Sequence, residues 1–241
     1  MRYNWNWDVL FGPPYLGWIF SGLQWTVLIA LLAWAIAFPL GSLLGIARTL
    51  TNPVVRAVAG AYVELFRNIP LLVQLFLFYF VLPEILPASW GTWLKRDLDN
   101  AEVWTAVICL GLYTAVRVGE QVRSGIEAIS RGQTYAGLAT GLSRVQVYRH
   151  ILLPVAYRII IPALTTEFLS IFKNSSLALT IGVLELTGQT RRISEYTFQP
   201  IEMFLTATGL YAAVTLTVTG IMSVVERRTR LPGMIVTEVS P

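Results

Sequence analysis

The sequence predicts an all-α membrane protein with five transmembrane helices, and three observations carry that prediction. Only 13% of the 241 residues are charged while 55% are hydrophobic, and the mean hydropathy is +0.60. A soluble domain carries roughly 25% charged residues, so this chain has too little polar surface to cover a globule in water. Five stretches approach the ~20 predominantly apolar residues that a bilayer-spanning helix needs. Between them the basic residues fall mainly on one side.

The first span covers residues 23–46 and contains no charge. Gly41 and Gly45 form a GxxxG pair in it, a spacing that lets two helix backbones approach closely. The second, residues 69–86, is entered through Pro70, with Glu64 and Arg67 at its edge. At i and i+3 they form either a local ion pair or a contact to a partner chain. The third, residues 103–116, extends through Arg117 if that side chain faces protein or water. The fourth, residues 159–184, is unusually polar, with Pro162, Glu167, Lys173, Asn174, Ser175, Ser176 and Thr180. Glu167 and Lys173 lie six apart, roughly 240° around a helix, so each needs a different partner. The fifth, residues 204–225, is followed by Glu226-Arg227-Arg228-Thr229-Arg230, a positive stop.

Lysine and arginine placement sets the orientation. With the N-terminus outside, thirteen of the eighteen cations fall inside: Arg48, Arg56, Arg67, Arg117, Arg123, Arg131, Arg144, Arg149, Arg158, Lys173, Arg227, Arg228 and Arg230. Five fall outside: Arg2, Lys95, Arg96, Arg191 and Arg192. Setting aside Arg117 and Lys173, which can lie at membrane depth, the bias is still eleven to five. The net charge of +4 therefore reads as topology and calls for no nucleic acid. Trp18, Trp90, Trp93 and Trp104 near span edges suit an interfacial belt.

Several chemistries are absent from the sequence. Neither lysine follows a glycine-rich loop, no two glycines are separated by a single residue, and there is no HExxH or GxSxG. One cysteine, Cys109, and one histidine, His150, make no metal cluster. No enzyme, cofactor or metal is expected, and any ATP hydrolysis belongs to a separate subunit.

The long inside segment, residues 120–158, has a specific pattern. Residues 123–129 continue the third helix into water. A short helix over residues 134–140 ends at Gly141, which suits the left-handed position past a helix terminus. Ser143 and Gln146 have capping-box spacing. A second helix then runs to Leu153 and stops at Pro154, with Val145, Tyr148, Ile151 and Leu152 on one face. Either these are interfacial helices that tie spans three and four together, or they form a rigid knob that docks into a partner.

This segment resembles the EAA motif of ABC-importer permeases: Glu-Ala-Ala, three residues, Gly, nine residues, then Ile-x-Leu-Pro. Ala136, Gly137 and Gly141 fall in register, and Ile151-Leu152-Leu153-Pro154 follows at the same spacing. Tyr135 stands at the glutamate position and Gly137 at the second alanine. Residues 64–74, ELFRNIPLLVQ, resemble the second-helix signature of the polar-amino-acid branch, and residues 161–164 and 173–177 its fourth-helix signature. Residues 115–123 and the Asn4-Trp5-Asn6-Trp7 start are most similar to glutamate/aspartate permease subunits.

The resemblance implies the type I ABC-importer transmembrane domain in a bacterial inner membrane. It implies a dimer of ATP-binding subunits, a second permease that is identical or related, and a periplasmic solute-binding protein. The N-terminus would be periplasmic (residues 1–20), the permease domain residues 21–225, and the cytoplasmic tail residues 226–241. Residues 134–153 would be the coupling region, with Ala136, Gly137, Gly141, Leu142, Arg144, Arg149, Ile151 and Pro154 as the residues that seat it on the ATPase. Candidate substrate-binding residues are Arg117, Glu120, Lys173, Asn174, Ser175 and Ser176. The planar guanidinium of Arg117 suits a carboxylate of glutamate or aspartate; the alternative is a topology-setting charge paired with Glu120. Asn174, Ser175 and Ser176 either meet a solute or hydrogen-bond between helices. Cys109 reads as a bystander, as does His150 unless it touches the partner.

Overall fold

The computed structural model describes residues 3–229. They are helical apart from short connections, with no strand among the described residues. After a short 3-10 turn at Trp7–Phe11, the helices run α1 Tyr15–Thr49, α2 Pro53–Asn68, α3 Leu71–Ile85, α4 over residues 88–97, α5 Ala101–Glu127, α6 Arg131–Ala139, α7 Arg144–Ile181, α8 Leu186–Thr197 and α9 Pro200–Thr229. Four of them, α1, α5, α7 and α9, are long and apolar enough to cross a bilayer, and the bent pair α2–α3 makes a fifth candidate. The expected number of spans is therefore reached only by counting that pair as one.

Several expectations need correction. The second expected span, residues 69–86, corresponds to α3 alone, and it is preceded by α2, a helix the sequence did not announce. α2 meets α3 at 101° across Ile69-Pro70. Proline has no N–H to continue α2 and forces the residue before it toward extended geometry, and Ile69 has φ −104° and ψ 125°. Gln74 holds the corner, its buried amide donating to the carbonyls of Phe66 and Ile69, both at 2.8 Å. The expected stop at Pro154 is also absent. The helix passes from Arg144 to Ile181 because a π turn, Tyr148–Leu152, precedes the proline, and Leu153 N–H bonds five residues back to Tyr148. The wider turn relieves the clash between a proline ring and the carbonyl four residues earlier. Leu77–Val81 plays the same part ahead of Pro83. The first and fifth spans are longer than expected, and α8 lies in a stretch for which the sequence suggested no helix. The tail begins as the last turn of α9; residues 230–241, including Arg230 of the positive stop, lie outside the described residues, as does Arg2.

The expected close packing at Gly41 and Gly45 is present, against α5. Ala33, Ala37, Gly41 and Gly45 recur every four residues on α1, facing Gly111, Ala115 and Gly119 on α5. A Cβ on Gly41 would lie 2.6 Å from the Ala115 carbonyl oxygen, and one on Gly45 2.6 Å from that of Gly119. Backbones this close gain dispersion contacts that larger residues would forbid. Around this seam the buried side chains form three layers: Ile29, Leu75, Leu110 and Ile171 in one; Val118, Val122, Val147, Leu152 and Ile160 in the next; Ile19, Leu186, Ile193 and Met203 in the third. α9 buries little beyond Glu202, Met203 and Ala207, and turns Leu216, Ile221 and Val224 outward.

Candidate functional site

One turn pattern on α5 builds a charged cavity. Tyr113, Val116, Arg117, Glu120 and Gln121 follow the i, i+3, i+4, i+7, i+8 spacing of a single helix face. With Phe66 and Arg67 of α2 and Glu167 of α7 they line a cavity of about 270 Å³. Arg117 Nη2 donates to Tyr113 Oη at 3.1 Å, and its guanidinium carbon lies 5.4 Å from the centre of that ring. Arg117 Nη1 stands 3.8 Å from Glu167 Oε1. The Glu167 side chain is 12% exposed against 53% for Arg117, so the carboxylate is held in the wall and the cation reaches into open space.

The Arg117–Glu120 pair, the alternative reading of Arg117, does not form. Glu120 instead accepts from Arg48 at 2.5 Å and from Arg123 at 3.1 Å, with Arg67 at 3.7 Å. Arg67 also pairs with Glu64 at 2.6 Å, the local pair the sequence offered, and Arg123 with Glu127 at 2.8 Å. Three carboxylates and three guanidinia thus form a network joining α1, α2 and α5. It occupies both oxygens of Glu120, leaving Arg117 and Glu167 as the charged pair facing the cavity. Burial of a charge at membrane depth is costly unless it is paired or meets water, and Arg117 and Glu167 stand beside each other as a pair.

Lys173, Asn174, Ser175 and Ser176 lie elsewhere. They sit where α7 tightens to a 3-10 turn at Ser175–Ile181, roughly 9 Å along the axis from Glu167. Ser175 and Ser176 donate to the carbonyls of Phe172 and Lys173, both at 2.7 Å. Lys173 is exposed and none of the four lines the cavity. Glu167 and Lys173 do face different ways, as their spacing requires.

The second candidate region is α6 with the start of α7. The turn after α6 is a Schellman arrangement: Leu142 N–H bonds to Gly137 O and Gly141 N–H to Leu138 O, with Gly141 at φ +88°. Both halves of the Ser143–Gln146 capping box are made. Gly137 is buried because Ile151 and Val147 fill its missing side chain; a Cβ there would lie 2.7 Å from Ile151 Cδ1. Val145 does not share the inward face with Tyr148, Ile151 and Leu152. It is 75% exposed, and Val147 takes the buried place. Tyr148 Oη donates to the Thr49 carbonyl and Arg144 to Thr51 Oγ1, each at 3.1 Å, tying the hairpin to the end of α1. Tyr135, Ala136, Val145, Arg149 and His150 remain exposed, Leu142 is half-buried, and Pro154 lies exposed in the first turn after the π segment.

A buried polar knot was not expected from the sequence. Glu185 is fully buried, caps α8 through the N–H groups of Thr187 and Gly188, accepts from Tyr211 Oη at 2.5 Å and meets Thr26 Oγ1 at 3.4 Å. It thereby joins α1, α8 and α9. An acid directly before Leu186-Thr187-Gly188 was the available signal, as a helix N-cap.

Long helices arranged around a charged cavity, with a docked helical hairpin at one end, define a membrane transport domain. The family model described as binding-protein-dependent transport system inner membrane component matches residues 37–231, and the chain belongs to that family. A glutamate/aspartate import permease protein of Escherichia coli (strain K12) is 44% identical over 97% of this chain and 98% of its own length. A glutamine transport system permease protein of the same strain is 32% identical over 94% and 98%. The solved structure of an amino acid ABC transporter with histidines superposes with a TM-score of 0.79 at 27% identity, covering 94% of this chain and all of that one. The chain is accordingly a transport permease rather than an enzyme.

Proposed function

We propose that this permease imports glutamate and aspartate across a bacterial inner membrane as part of an ATP-driven, binding-protein-dependent complex. The observation that carries an amino-acid substrate is the Arg117–Glu167 pair beside open space. A cation and an anion 3.8 Å apart match the opposite charges of an amino acid, and the exposed guanidinium offers two parallel donors to a carboxylate. The 44% identity to a glutamate/aspartate permease supports narrowing that to the acidic amino acids.

In this reading the N-terminus is periplasmic, the α6 hairpin is cytoplasmic, and the exposed Ala136, Val145 and Arg149 are offered to an ATPase dimer. A second permease, identical or related, completes the pathway, and a periplasmic protein delivers the solute. Uptake of labelled glutamate in cells with and without this chain tests the proposal, with aspartate, glutamine and arginine as competitors. Uptake that depends on the chain and is competed by aspartate alone is the expected result. Competition by glutamine instead would move the chain to a different substrate class.

A further inference from the structure

A second, larger cavity, of about 740 Å³, lies between the end of α1, the start of α2 and the α6 hairpin. Its volume falls in the roughly 300–1,000 Å³ range of small-ligand sites. Four arginines line it, Arg48, Arg56, Arg131 and Arg144, against one carboxylate, Glu127. Arg48 is engaged by Glu120, Glu127 by Arg123, and Arg144 by the Thr51 hydroxyl. Among the described residues Arg56 and Arg131 form no ion pair. The cavity therefore carries positive charge that the protein itself does not balance.

α2 identifies what surrounds the cavity. One face of this helix, with Ala59, Tyr62 and Val63, packs inward, and Tyr62 Oη donates to the Leu112 carbonyl. Val54, Val58, Ala61 and Leu65 form a stripe at i, i+4, i+7 and i+11 on another face, with Val54, Val58 and Leu65 each 59% exposed or more. A helix bent 101° from the candidate span α3 runs nearly along the membrane plane when α3 crosses it. An apolar stripe on such a helix meets acyl chains. Arg56, on the inward side, then stands at headgroup depth.

We propose that this cavity binds the headgroup of an anionic phospholipid from the leaflet on the α6 side, with Arg56 and Arg131 as the cations that hold its phosphate. The cytoplasmic leaflet is the anionic one, so the assignment of that leaflet rests on the orientation proposed above. Because the site adjoins Tyr148 and Arg144, its occupant would bridge α1, α2 and the hairpin.

The complete importer is reconstituted in nanodiscs of phosphatidylcholine containing one third phosphatidylglycerol and a trace of a headgroup-photoactivatable phosphatidylglycerol. Crosslinked peptides are mapped without any amino-acid substrate, so failure of the substrate assignment leaves this readout intact. Labelling is expected around residues 52–58 and 131–138, competed by phosphatidylglycerol and not by phosphatidylcholine or inorganic phosphate. Each arginine near an anionic surface contributes roughly fivefold, so Arg56→Gln with Arg131→Gln should weaken labelling roughly 30-fold. Arg158→Gln, outside the cavity, should leave it unchanged. Equal labelling in the double variant overturns the proposal. So does displacement by inorganic phosphate, which assigns the site to a free anion, or labelling of the permease alone but not of the complex, which assigns the cavity to a partner protein.

Discussion

Arg117 and Glu167 make different demands on a substitution. Arg117→Ala removes a charge-assisted contact worth about 1.5–3 kcal/mol, so apparent affinity for glutamate should fall roughly 10- to 100-fold while the complex still assembles. Arg117→Lys keeps the charge and loses the planar fork, and should recover only part of the uptake. Uptake kinetics unchanged in Arg117→Ala would end the carboxylate assignment. Glu185 has a structural part. Its removal leaves the Tyr211 hydroxyl only Thr187 Oγ1, at 3.1 Å, and strands two N–H groups, and each stranded donor costs about 1–3 kcal/mol. Glu185→Ala should therefore lower the unfolding temperature of the purified complex clearly, and Glu185→Gln, which keeps one acceptor oxygen, should lower it less.

Between elements, two contacts depend on a missing side chain. On α1, Gly41→Val puts atoms where the α5 backbone already stands. Overpacking typically costs about 1–3 kcal/mol, and a backbone neighbour yields less than a side chain. The expected outcome is a reduced yield of folded protein in the membrane fraction, with Gly60→Val on α2, where nothing lies within 4 Å, as the tolerated control. In the hairpin, Gly137→Leu drives Ile151 and Val147 apart. That change should uncouple ATP hydrolysis from uptake, measured as binding-protein-stimulated ATPase activity against transport in proteoliposomes. Parallel loss of expression would instead mark the contact as needed for folding.

For the whole molecule, the decisive question is which end faces the cytoplasm. Cys109 is buried, so a Cys109→Ala background permits single-cysteine mapping at exposed sites. Phe198→Cys, in the turn between α8 and α9, should react with an impermeant thiol reagent in intact cells. Val145→Cys should react only after permeabilisation. The reverse pattern would invert the proposed orientation and move the lipid site to the outer leaflet. Co-purification of an ATP-binding chain through the exposed hairpin face is the corresponding test of assembly, and it should weaken when Val145 and Ala136 are both replaced by Asp.

Local signals made much of this architecture readable. The hairpin turn was legible because Gly141 and the Ser143–Gln146 pair act through neighbouring backbone groups. The seam between α1 and α5 was half legible: GxxxG announced a close approach without naming the helix that approaches. The start of α3 at Pro70 was legible because a proline breaks the helix before it, while α2 went unread because its sequence mixes charged and apolar residues. Passage through Pro154 was missed because a proline stops a helix only when the turn before it cannot widen. By itself the sequence determined the apolar spans, their charge asymmetry and the caps, all of which depend on residues close together along the chain. Only the tertiary structure decided that Arg117 meets Glu167 and not Glu120, that Glu185 meets Tyr211 and that Gly137 receives Ile151. Each of these depends on the register between packed helices, which is set by side chains interlocking across the whole bundle and leaves no mark at any single position.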